Sequence, residues 1–375
     1  MNEYKGTQWP DTQQNDQSYF PQEQQSKMKS VDEVDAELEQ LLESMTTKVK
    51  VIGCGGGGSN SIQRMMDEGI EGAEMIAINT DAQHLRNVNS DGKIIIGVKR
   101  TRGLGAGSLP QVGEDAAIED YDKISHAVSN VDMTFIAAGM GGGTGTGSAP
   151  VVADAAKKQD SLTIAVVTLP FGVEGQARIA NATAGLGKLR EIADTVIVIP
   201  NDKLLEMVPN LPLQDAFHVS DEILMRSVKG ITELITKPGL VNLDFADVKT
   251  VMRNGGVAMI GSGEGQGTDK AEESIRKAIN SPLLDVDLSK SHAAIVNVVG
   301  SPDMTISEAE SVVEILSEQI SPDARIIWGA QVDPSLEDTI KTMIVATGVD
   351  SCQISGSNKS AIGNGAKKYG IDFVG

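Results

Sequence analysis

Two glycine-rich loops stand out because their residue types and spacing could do chemistry. The first is Gly53–Asn60 (GCGGGGSN), and the second is Gly139–Ser148 (GMGGGTGTGS). Each loop follows a run of strand-forming residues and precedes a helical pattern. Glycine lets the backbone approach phosphate oxygens, and the N-terminus of the following helix adds partial positive charge. Both loops therefore predict contacts with the phosphate groups of a nucleotide.

The two loops differ in how specific their patterns are. Residues 53–58 satisfy G-x-G-x-x-G, the dinucleotide fingerprint, which is a weak signal alone. The acid expected after the second strand is also imperfect, because that strand ends in INTD at 78–81. The second loop is much rarer and predicts a backbone nest around a polyphosphate, with the hydroxyls of Thr144 and Thr146 as extra donors. A third loop, Arg102–Pro110 (RGLGAGSLP), is predicted to complete the phosphate site.

Alternating strand and helix patterns place these loops at one edge of a sheet. From Lys48 onward the alternation predicts a parallel sheet that helices cover on both faces. Loops at the carboxyl ends of its strands would lie where open α/β sheets bind ligands. The predicted strands are 48–53, 75–79, 93–97, 132–138, 162–168 and 195–199, and the predicted helices are 59–68, 113–129, 147–158 and 176–192.

A long helix and a second, smaller α/β unit are predicted to follow. Pro212 suits the first position of the helix, which runs to Thr236 before Pro238-Gly239 ends it. The second unit begins near Gly239. Its predicted strands are 256–261, 293–300, 324–330 and 342–348, and its predicted helices are 244–254, 268–280 and 305–320.

The composition excludes several classes of protein. The 375 residues include 52 Asp and Glu against 32 Lys and Arg, and the net charge of −20 argues against a nucleic-acid binder or a protein lying bare on anionic lipid. Two cysteines make neither a disulfide scaffold nor a multi-cysteine zinc site, and Cys54 is interpreted as a small buried residue. No run is apolar enough to span a membrane and no signal peptide is evident, which predicts a cytoplasmic protein. The histidines show no metal-ligand spacing and are interpreted as surface or packing residues: His84, His126, His218 and His292.

Several motifs together resemble those of the tubulin/FtsZ family, and FtsZ more than tubulin. GGGTGTGS at 141–148 resembles the family signature, and GLVNLDFADVK at 239–249 resembles the FtsZ synergy loop. The matches keep their order and spacing from about residue 48 to 348. The other segments that resemble nucleotide loops of the family are VIGCGGGGSN at 51–60, NTDAQ at 79–83, RGLGAG at 102–107, TLPFGVEGQAR at 168–178 and IPNDK at 199–203.

The resemblance implies an α/β fold in which a Rossmann-like parallel-sheet GTPase domain is joined by a long central helix to a smaller α/β C-terminal domain. It also implies GTP or GDP with Mg²⁺, the metal bridging the phosphates with no protein metal site of its own. The residues implied to bind the nucleotide are Gly55, Gly56, Gly57, Gly58, Ser59, Asn60, Asp81, Gly107, Gly142, Gly143, Thr144 and Gly145 in the phosphate loops, Glu174 and Arg178 near the ribose, and Asn201, Phe217 and Asp221 around the guanine.

Asp244, Asp247 and Asn242 are implied to act on the nucleotide of a neighbouring subunit. The carboxylates of Asp244 and Asp247 would orient a water molecule at the γ-phosphate, and Asn242 would assist at that junction, because phosphoryl transfer depends mainly on positioning and charge stabilisation. A carboxylate suits water positioning better than phosphate binding. The alternative reading is structural, with Asp244 as a helix N-cap and Asp247 as an acid in the first turn, and both roles can coexist.

Two departures from the family pattern affect the expectations. The third loop usually reads RGLGAGxNP, but Leu109 stands at the asparagine position, which removes a polar contact or a turn-stabilising group. The C-terminal tail lacks the long linker and proline-containing motif usual in bacterial members, which favours an archaeal member. Its apolar tip, GIDFV at 370–374, is a candidate tag for a membrane-anchoring adaptor.

The sequence patterns predict the organisation of the chain, and the family resemblance implies its partners. The predicted partners are further copies of the chain in a head-to-tail homopolymer at the division site and a membrane adaptor, with no nucleic acid and no direct membrane insertion. The predicted segments are a disordered tail at 1–29, an amphipathic helix at 30–47, a GTP-binding domain at 48–211, a central helix at 212–238, a C-terminal domain at 239–349 and a flexible tail at 350–375.

Three functions are compatible with the sequence alone. The first is a polymerising GTPase that forms the cytokinetic ring of cell division, with its active site shared between subunits. The second is a nucleotide-binding regulator or scaffold of the same fold with weak turnover. The third, an NAD-dependent oxidoreductase, depends on residues 53–58 alone, and the second glycine loop and the Asp244/Asp247 motif count against it.

Overall fold

A computed structural model describes residues 47–207, 212–237, 239–241 and 243–349. The expectations for the N-terminal tail, the helix at 30–47, the C-terminal tail and Asn242 therefore lie outside the described residues.

Ten strands form one continuous sheet in the order β3-β2-β1-β4-β5-β6-β7-β10-β8-β9. The first six strands pair in parallel, and β7 continues in parallel beside β6. β10 is antiparallel to both of its neighbours, whereas β8 and β9 are parallel. The strands are β1 Val49–Cys54, β2 Ala73–Asn79, β3 Gly92–Ile95, β4 Met133–Gly139, β5 Leu162–Leu169, β6 Thr195–Pro200, β7 Gly256–Gln266, β8 Ala293–Gly300, β9 Arg325–Val332 and β10 Thr339–Thr347.

Helices cover both faces of this sheet, as the sequence predicts for strands rich in Val and Ile. One buried cluster joins the sheet to α4–α7, α11 and α12, and the other joins it to α1, α2 and α8–α10. The helices are α1 Gly55–Asp67, α2 Ala82–Asn87, α3 Val98–Thr101, α4 Pro110–Glu119, α5 Tyr121–Ala127, α6 Thr144–Lys158, α7 Gln176–Ile192, α8 Asn201–Met207, α9 Leu213–Thr236, α10 Phe245–Met252, α11 Lys270–Ile279 and α12 Ile306–Ser317. Short 3₁₀ turns lie at Gly172–Glu174, Pro282–Leu284 and Leu288–Lys290.

The sheet runs without a break across the predicted boundary near residue 239. β6 and β7 pair from Thr195 opposite Gly256 to Ile197 opposite Ala258. The central helix α9 packs on the same face as α10; its N-cap is Pro212, so the helix begins at Leu213, one residue after the predicted first helical position. The strands of the two predicted domains therefore form one sheet.

The predicted helix over 113–129 is wrong, because the chain forms two helices there. Asp120 separates α4 from α5 with non-helical backbone angles, φ −110° and ψ 26°. Its carboxylate accepts a hydrogen bond from the Gly97 N–H (2.8 Å) and pairs with Lys123 (2.6 Å). These partners hold the pKa of Asp120 below its usual value, although burial opposes them. A contact with a residue 23 positions away thus interrupts a locally continuous helical pattern.

Three short helices, α2, α3 and α8, were not predicted, because each has seven residues or fewer and shows too little periodicity. None of the helices in the described parts of the chain is long and apolar enough to cross a membrane.

Candidate nucleotide-binding site

The first glycine loop is in fact the first turn of α1. The helix begins at Gly55, directly after β1, rather than at residue 59 as the sequence predicted. The first four N–H groups of a helix have no partner within it, and they carry its partial positive charge. Gly56 and Gly57 are exposed, so their N–H groups face an accessible surface rather than the core.

The second glycine loop brings another helix N-terminus to the same place. It leads from β4 into α6, which begins at Thr144, three residues before the predicted start. A β-carbon built on Gly55 would lie 2.5 Å from the Gly145 nitrogen, and Gly55 has a positive φ of 72°. Neither α1 nor α6 has an acidic residue in its first turn. Two helix N-termini in contact, without a local negative charge, form a strong site for an anion.

The glycines of these loops divide into two groups. For one group an added β-carbon would meet backbone: at Gly58 it would lie 2.3 Å from the Ala137 oxygen, and at Gly145 it would lie 2.9 Å from the Gly139 oxygen. For the other group it would meet nothing within 4 Å, and these residues border open space: Gly56, Gly107 and Gly142. The first group sets the spacing of the protein's own backbone, whereas the second leaves room for a ligand.

The threonine hydroxyls of the second loop have partners inside the protein. The Oγ1 atoms of Thr144 and Thr80 lie 2.6 Å apart, and the Thr146 hydroxyl accepts a hydrogen bond from the Gly141 N–H (2.8 Å). Thr146 is only 2% exposed. The hydroxyl therefore helps to shape the loop, and its predicted role as a donor to phosphate stays a prediction. Ser59 is also fully buried, and its hydroxyl has no partner among the described residues.

The loop after β2 and the third loop pack against each other. Asp81 is the N-cap of α2 and accepts a hydrogen bond from the His84 N–H (2.9 Å). The Ala82 N–H donates to the Gly103 oxygen (3.0 Å), and Asp81 bridges to Leu104. The predicted third phosphate loop is thus attached to the loop after β2 through backbone hydrogen bonds.

His84 joins two of the predicted loops, and the sequence did not predict this bridge. Its Nδ1 accepts a hydrogen bond from the Asn79 amide (3.2 Å), so its Nε2–H donates to the Asn60 Oδ1 atom (3.1 Å). Asn60, predicted in the phosphate site, is thereby held by a residue 24 positions away. A single half-buried histidine carries no sequence signal for such a bridge.

The residues assigned to the ribose contact each other. Arg178 pairs with Glu174, which also accepts a hydrogen bond from the Phe171 N–H (2.9 Å). Glu174 closes the 3₁₀ turn that leads into α7, and the Arg178 side chain is half exposed. The pair forms a polar part of the site beside the second glycine loop, because a β-carbon on Gly141 would lie 2.9 Å from the Arg178 oxygen.

An aromatic ring and an amide lie beside the 3₁₀ turn at Gly172–Glu174. Phe217 on α9 is 38% exposed and meets the buried ring of Phe171 edge to face, with centroids 5.1 Å apart. Asn201 at the start of α8 is buried, and its Oδ1 accepts a hydrogen bond from the Ser220 hydroxyl (2.7 Å). An exposed ring face beside an ordered amide suits a planar heterocycle.

Among these residues, Asp221 has the carboxyl group whose pKa is shifted most. Burial raises its pKa to about 6, although the positive charges of Arg64 and His218 and a hydrogen bond from Ser61 act in the opposite direction. Arg64 on α1 donates to the His218 Nδ1 atom (2.7 Å), which ties α1 to α9 beside Asp221. A half-buried carboxylate without a direct ion pair is suited to accept hydrogen bonds from a ligand.

Asp244 and Asp247 lie away from the glycine loops. Asp244 is the N-cap of α10 and accepts a hydrogen bond from the Ala246 N–H (3.1 Å), so the structural reading of this residue is confirmed. Both carboxyl groups are exposed. Lys237, before this loop, pairs with Glu71, which precedes β2 (3.4 Å), and Arg253, after α10, pairs with Asp160.

Those two ion pairs place α10 at the amino-terminal edge of the sheet. Glu71 precedes β2 and Asp160 precedes β5, whereas the glycine loops follow the carboxyl ends of β1 and β4. β5 has eight residues, and at ~3.3 Å per residue the two edges are about 23 Å apart. Asp244 and Asp247 therefore cannot reach the glycine loops of their own chain.

A metal ion has no separate site in the described part of the chain. No group of three or more His, Cys, Asp or Glu side chains there could hold one. Cys54 is buried between the loops, as predicted, and burial raises the pKa of its thiol to about 12, so it stays protonated. Mg²⁺ readily binds through substrate phosphates and water, and the residues present fit only that mode.

Known proteins are similar to this chain in sequence and in fold. Residues 48–209 match the model of the tubulin/FtsZ family GTPase domain, and residues 256–350 match the FtsZ family C-terminal domain. Cell division protein FtsZ 1 of Archaeoglobus fulgidus is 63% identical over 343 residues, which are 92% of each chain. The FtsZ 1 of Halobacterium salinarum is 60% identical over 88% of this chain and 84% of its own. A solved FtsZ dimer from M. jannaschii is 54% identical, with a TM-score of 0.81 over 84% of this chain and 92% of that one.

Proposed function

The chain belongs to the tubulin/FtsZ family of GTPases, and from this premise we propose that it polymerises head to tail and hydrolyses GTP at the junctions between subunits. The glycine loops of one subunit bind GTP, and Asp244 and Asp247 of the next subunit orient the attacking water. The resulting filaments act in cell division, as the names of the relatives indicate for those proteins. The family rules out the oxidoreductase alternative.

The observation that carries this proposal is the separation of the two halves of the site. The phosphate loops lie at the carboxyl edge of the sheet, and α10 lies at the amino edge, about 23 Å away. One subunit therefore lacks half of the groups that hydrolysis needs. Stacking copies in one direction brings opposite edges together, and such a heterologous contact generates an open filament.

Exposed apolar residues support an interface at these edges. At the nucleotide edge, Leu104, Leu109 and Val173 are 83%, 59% and 78% exposed, and beside α10 Leu240 is 54% exposed. Exposed apolar residues grouped at an edge are typical of an interaction surface. Their burial would favour assembly, and the nucleotide between the subunits would make the contact depend on its phosphates.

Within one subunit the roles follow the geometry. Gly56 and Gly142 border open space and offer backbone N–H groups to the phosphates, with Gly107 at the third loop. Glu174 and Arg178 lie where the ribose would, and Phe217 and Asn201 contact the base. Mg²⁺ would be held mainly by the phosphates and water, and it would supply charge neutralisation there.

Asp221 is proposed to read the guanine ring. Its ionised carboxylate can accept the two N–H donors on one edge of guanine, namely N1–H and the 2-amino group. Adenine offers no such pair, so this contact would set the preference for GTP over ATP.

We expect Asp221→Asn to stabilise the nucleotide-free protein while weakening nucleotide binding. The raised pKa of about 6 means that folding disfavours the charged form, so stability is lost as pH rises through 6. At pH 8 the substitution should gain at most about 3 kcal/mol, from two pKa units at 1.36 kcal/mol each, and the gain should shrink at pH 5. GDP affinity at pH 8 should fall about tenfold or more, because a hydrogen bond to a charged group is lost.

Thermal unfolding and GDP titration at pH 5 and pH 8 measure both effects. Glu222→Gln is the matched control, since it removes a neighbouring carboxylate of α9 that pairs with Arg226 at the surface. Equal GDP affinity in Asp221→Asn and wild type would contradict the assigned role of Asp221.

The polymerisation proposal is tested by GTP hydrolysis over a series of protein concentrations, with pelleting in GTP and in GDP. We expect activity per subunit to rise steeply with concentration and pellets to form only with GTP. Flat activity per subunit without pellets would contradict a shared site and favour the nucleotide-binding regulator.

The filament is proposed to act at the division site on the cytoplasmic side. Attachment to the membrane would use an adaptor that binds the C-terminal tip at 369–375, with neither nucleic acid nor direct membrane insertion involved. If the adaptor still binds after residues 369–375 are deleted, the tip is not the tag.

A further inference from the structure

The junction between the third loop and α4 lacks its usual local restraints. Ser108 has a positive φ of 59°, which is strained for a residue with a side chain. Leu109 is the N-cap of α4, but its side chain cannot accept a hydrogen bond from the first turn. Asn, Asp, Ser and Thr are preferred at this position because they can. Something else must fix the backbone here.

Asn181 on α7 contacts this junction from outside the loop. Its Nδ2 amide donates to the Ser108 oxygen (3.1 Å) and to the Gly141 oxygen (3.3 Å). Both acceptors are carbonyls, so the orientation of the amide is determined: only the NH₂ end has two donors to offer. One side chain thus joins the third loop to the second glycine loop.

These two loops also touch each other directly. A β-carbon on Gly143 would lie 2.8 Å from the Ala106 β-carbon and 2.9 Å from the Leu109 nitrogen. Between them Gly107 borders open space. A small displacement of the third loop would therefore change the shape of the space assigned to the phosphates.

We propose that Asn181 is a positioning residue, which holds the third loop against the second glycine loop and replaces the N-cap that Leu109 cannot provide. This role rests on the proposed function and adds to it the residue that keeps the two phosphate loops correctly placed against each other. Asn181 acts through the backbone of Ser108 and Gly141 and need not touch the nucleotide.

The fold does not depend on this contact alone. Lys188, two turns further along α7, pairs with Glu114 on α4 (2.6 Å). α4 and α6 also pack closely, since a β-carbon on Gly147 would lie 2.1 Å from the Pro110 oxygen. A variant without the Asn181 amide should therefore fold and remain measurable.

The test measures the Kd of the fluorescent analogue mant-GDP for the full chain, at protein concentrations too low for assembly. Asn181→Ala should weaken binding about tenfold, since two neutral hydrogen bonds to the loops are lost. GTP turnover should show a raised KM with kcat within about threefold, and the unfolding temperature without nucleotide should change little. Thr183→Ala is the control, because its hydroxyl bonds only to the Ile179 oxygen on the exposed side of the same helix.

Leu109→Asn provides the rescue, because it restores an N-cap side chain to α4. In the Asn181→Ala background it should return the mant-GDP Kd to within about threefold of wild type, but alone it should change the Kd little. This non-additivity is the signature of two residues that restrain one junction. A purely structural role would instead lower the unfolding temperature without moving KM.

Three results would overturn the inference. The first is that Asn181→Ala binds mant-GDP as Thr183→Ala does, and the second is that Leu109→Asn has the same effect in both backgrounds. The third is failure of the wild-type chain to bind mant-GDP, which would remove the proposed function as well. The first two leave the proposed function intact, so the two failures are distinguishable.

Discussion

Replacing Asp247 by asparagine should lower GTP turnover roughly a hundredfold or more while leaving GTP binding unchanged. An ionised carboxylate that orients water contributes a factor of this order, and an amide keeps the shape but loses the charge. Asp244→Asn should behave similarly. Because asparagine caps a helix as well as aspartate does, that variant separates lost charge from fraying of α10.

The subunit whose bound GTP is hydrolysed shows whether the active site is formed by one subunit or by two. Asp247→Asn protein that is preloaded with labelled GTP should leave it intact when it is incubated alone. After wild-type protein is added with excess unlabelled GTP, the labelled GTP should be hydrolysed in a single turnover. The wild-type subunit supplies the missing carboxylate across the junction. Thr250→Ala is the control on the same helix, since Thr250 is exposed and its hydroxyl bonds only to the Ala246 oxygen. Label that stays intact in the mixture would place hydrolysis within one chain.

Alanine substitutions at Gly58 and Gly56 should separate an effect on folding stability from an effect on ligand binding. Gly58→Ala places a methyl group 2.3 Å from the Ala137 oxygen in buried backbone, and such overpacking costs about 1–3 kcal/mol or more. Gly56→Ala meets nothing within 4 Å and improves helix propensity, so the unfolding free energy should stay equal or rise by about 0.5–1 kcal/mol. Its methyl group would enter the space assigned to phosphate, however, and GDP affinity should fall at least about tenfold, an effect of about 1.4 kcal/mol.

Urea unfolding without nucleotide and GDP titration measure the two effects separately. Gly187→Ala serves as the control, because Gly187 is an exposed, uncrowded helix residue in α7. It should gain stability like Gly56→Ala but keep its affinity for GDP. If Gly56→Ala bound GDP as tightly as wild type, the phosphates would lie elsewhere.

Much of the fold and of the candidate site could be predicted from local sequence patterns. The Val- and Ile-rich strands, the long helix ending at Thr236 and the cap at Asp244 depend on residues within a few positions of each other, so the sequence displays them directly. The glycine loops were recognised because few sequences place so many glycines between a buried strand and a helix. Their family resemblance then supplied roles that spacing alone does not give.

Contacts between distant residues decided the rest. The start of α1 at Gly55 contradicts the low helix propensity of glycine, because only a residue without a β-carbon fits beside Gly145. The break at Asp120 and the bridge through His84 depend on partners about two dozen residues away. No periodicity in the chain records such partners.

The placement of the two halves of the active site is the largest contribution of the tertiary structure. The sequence by itself indicated the glycine loops as candidates for phosphate binding, and the family resemblance added the candidates for positioning water. The sequence could not determine that the loops and α10 lie at opposite edges of one sheet, because that follows from strand order and direction. A parallel sheet keeps the two edges a strand length apart, and this separation is why we propose that another copy completes the site of each chain.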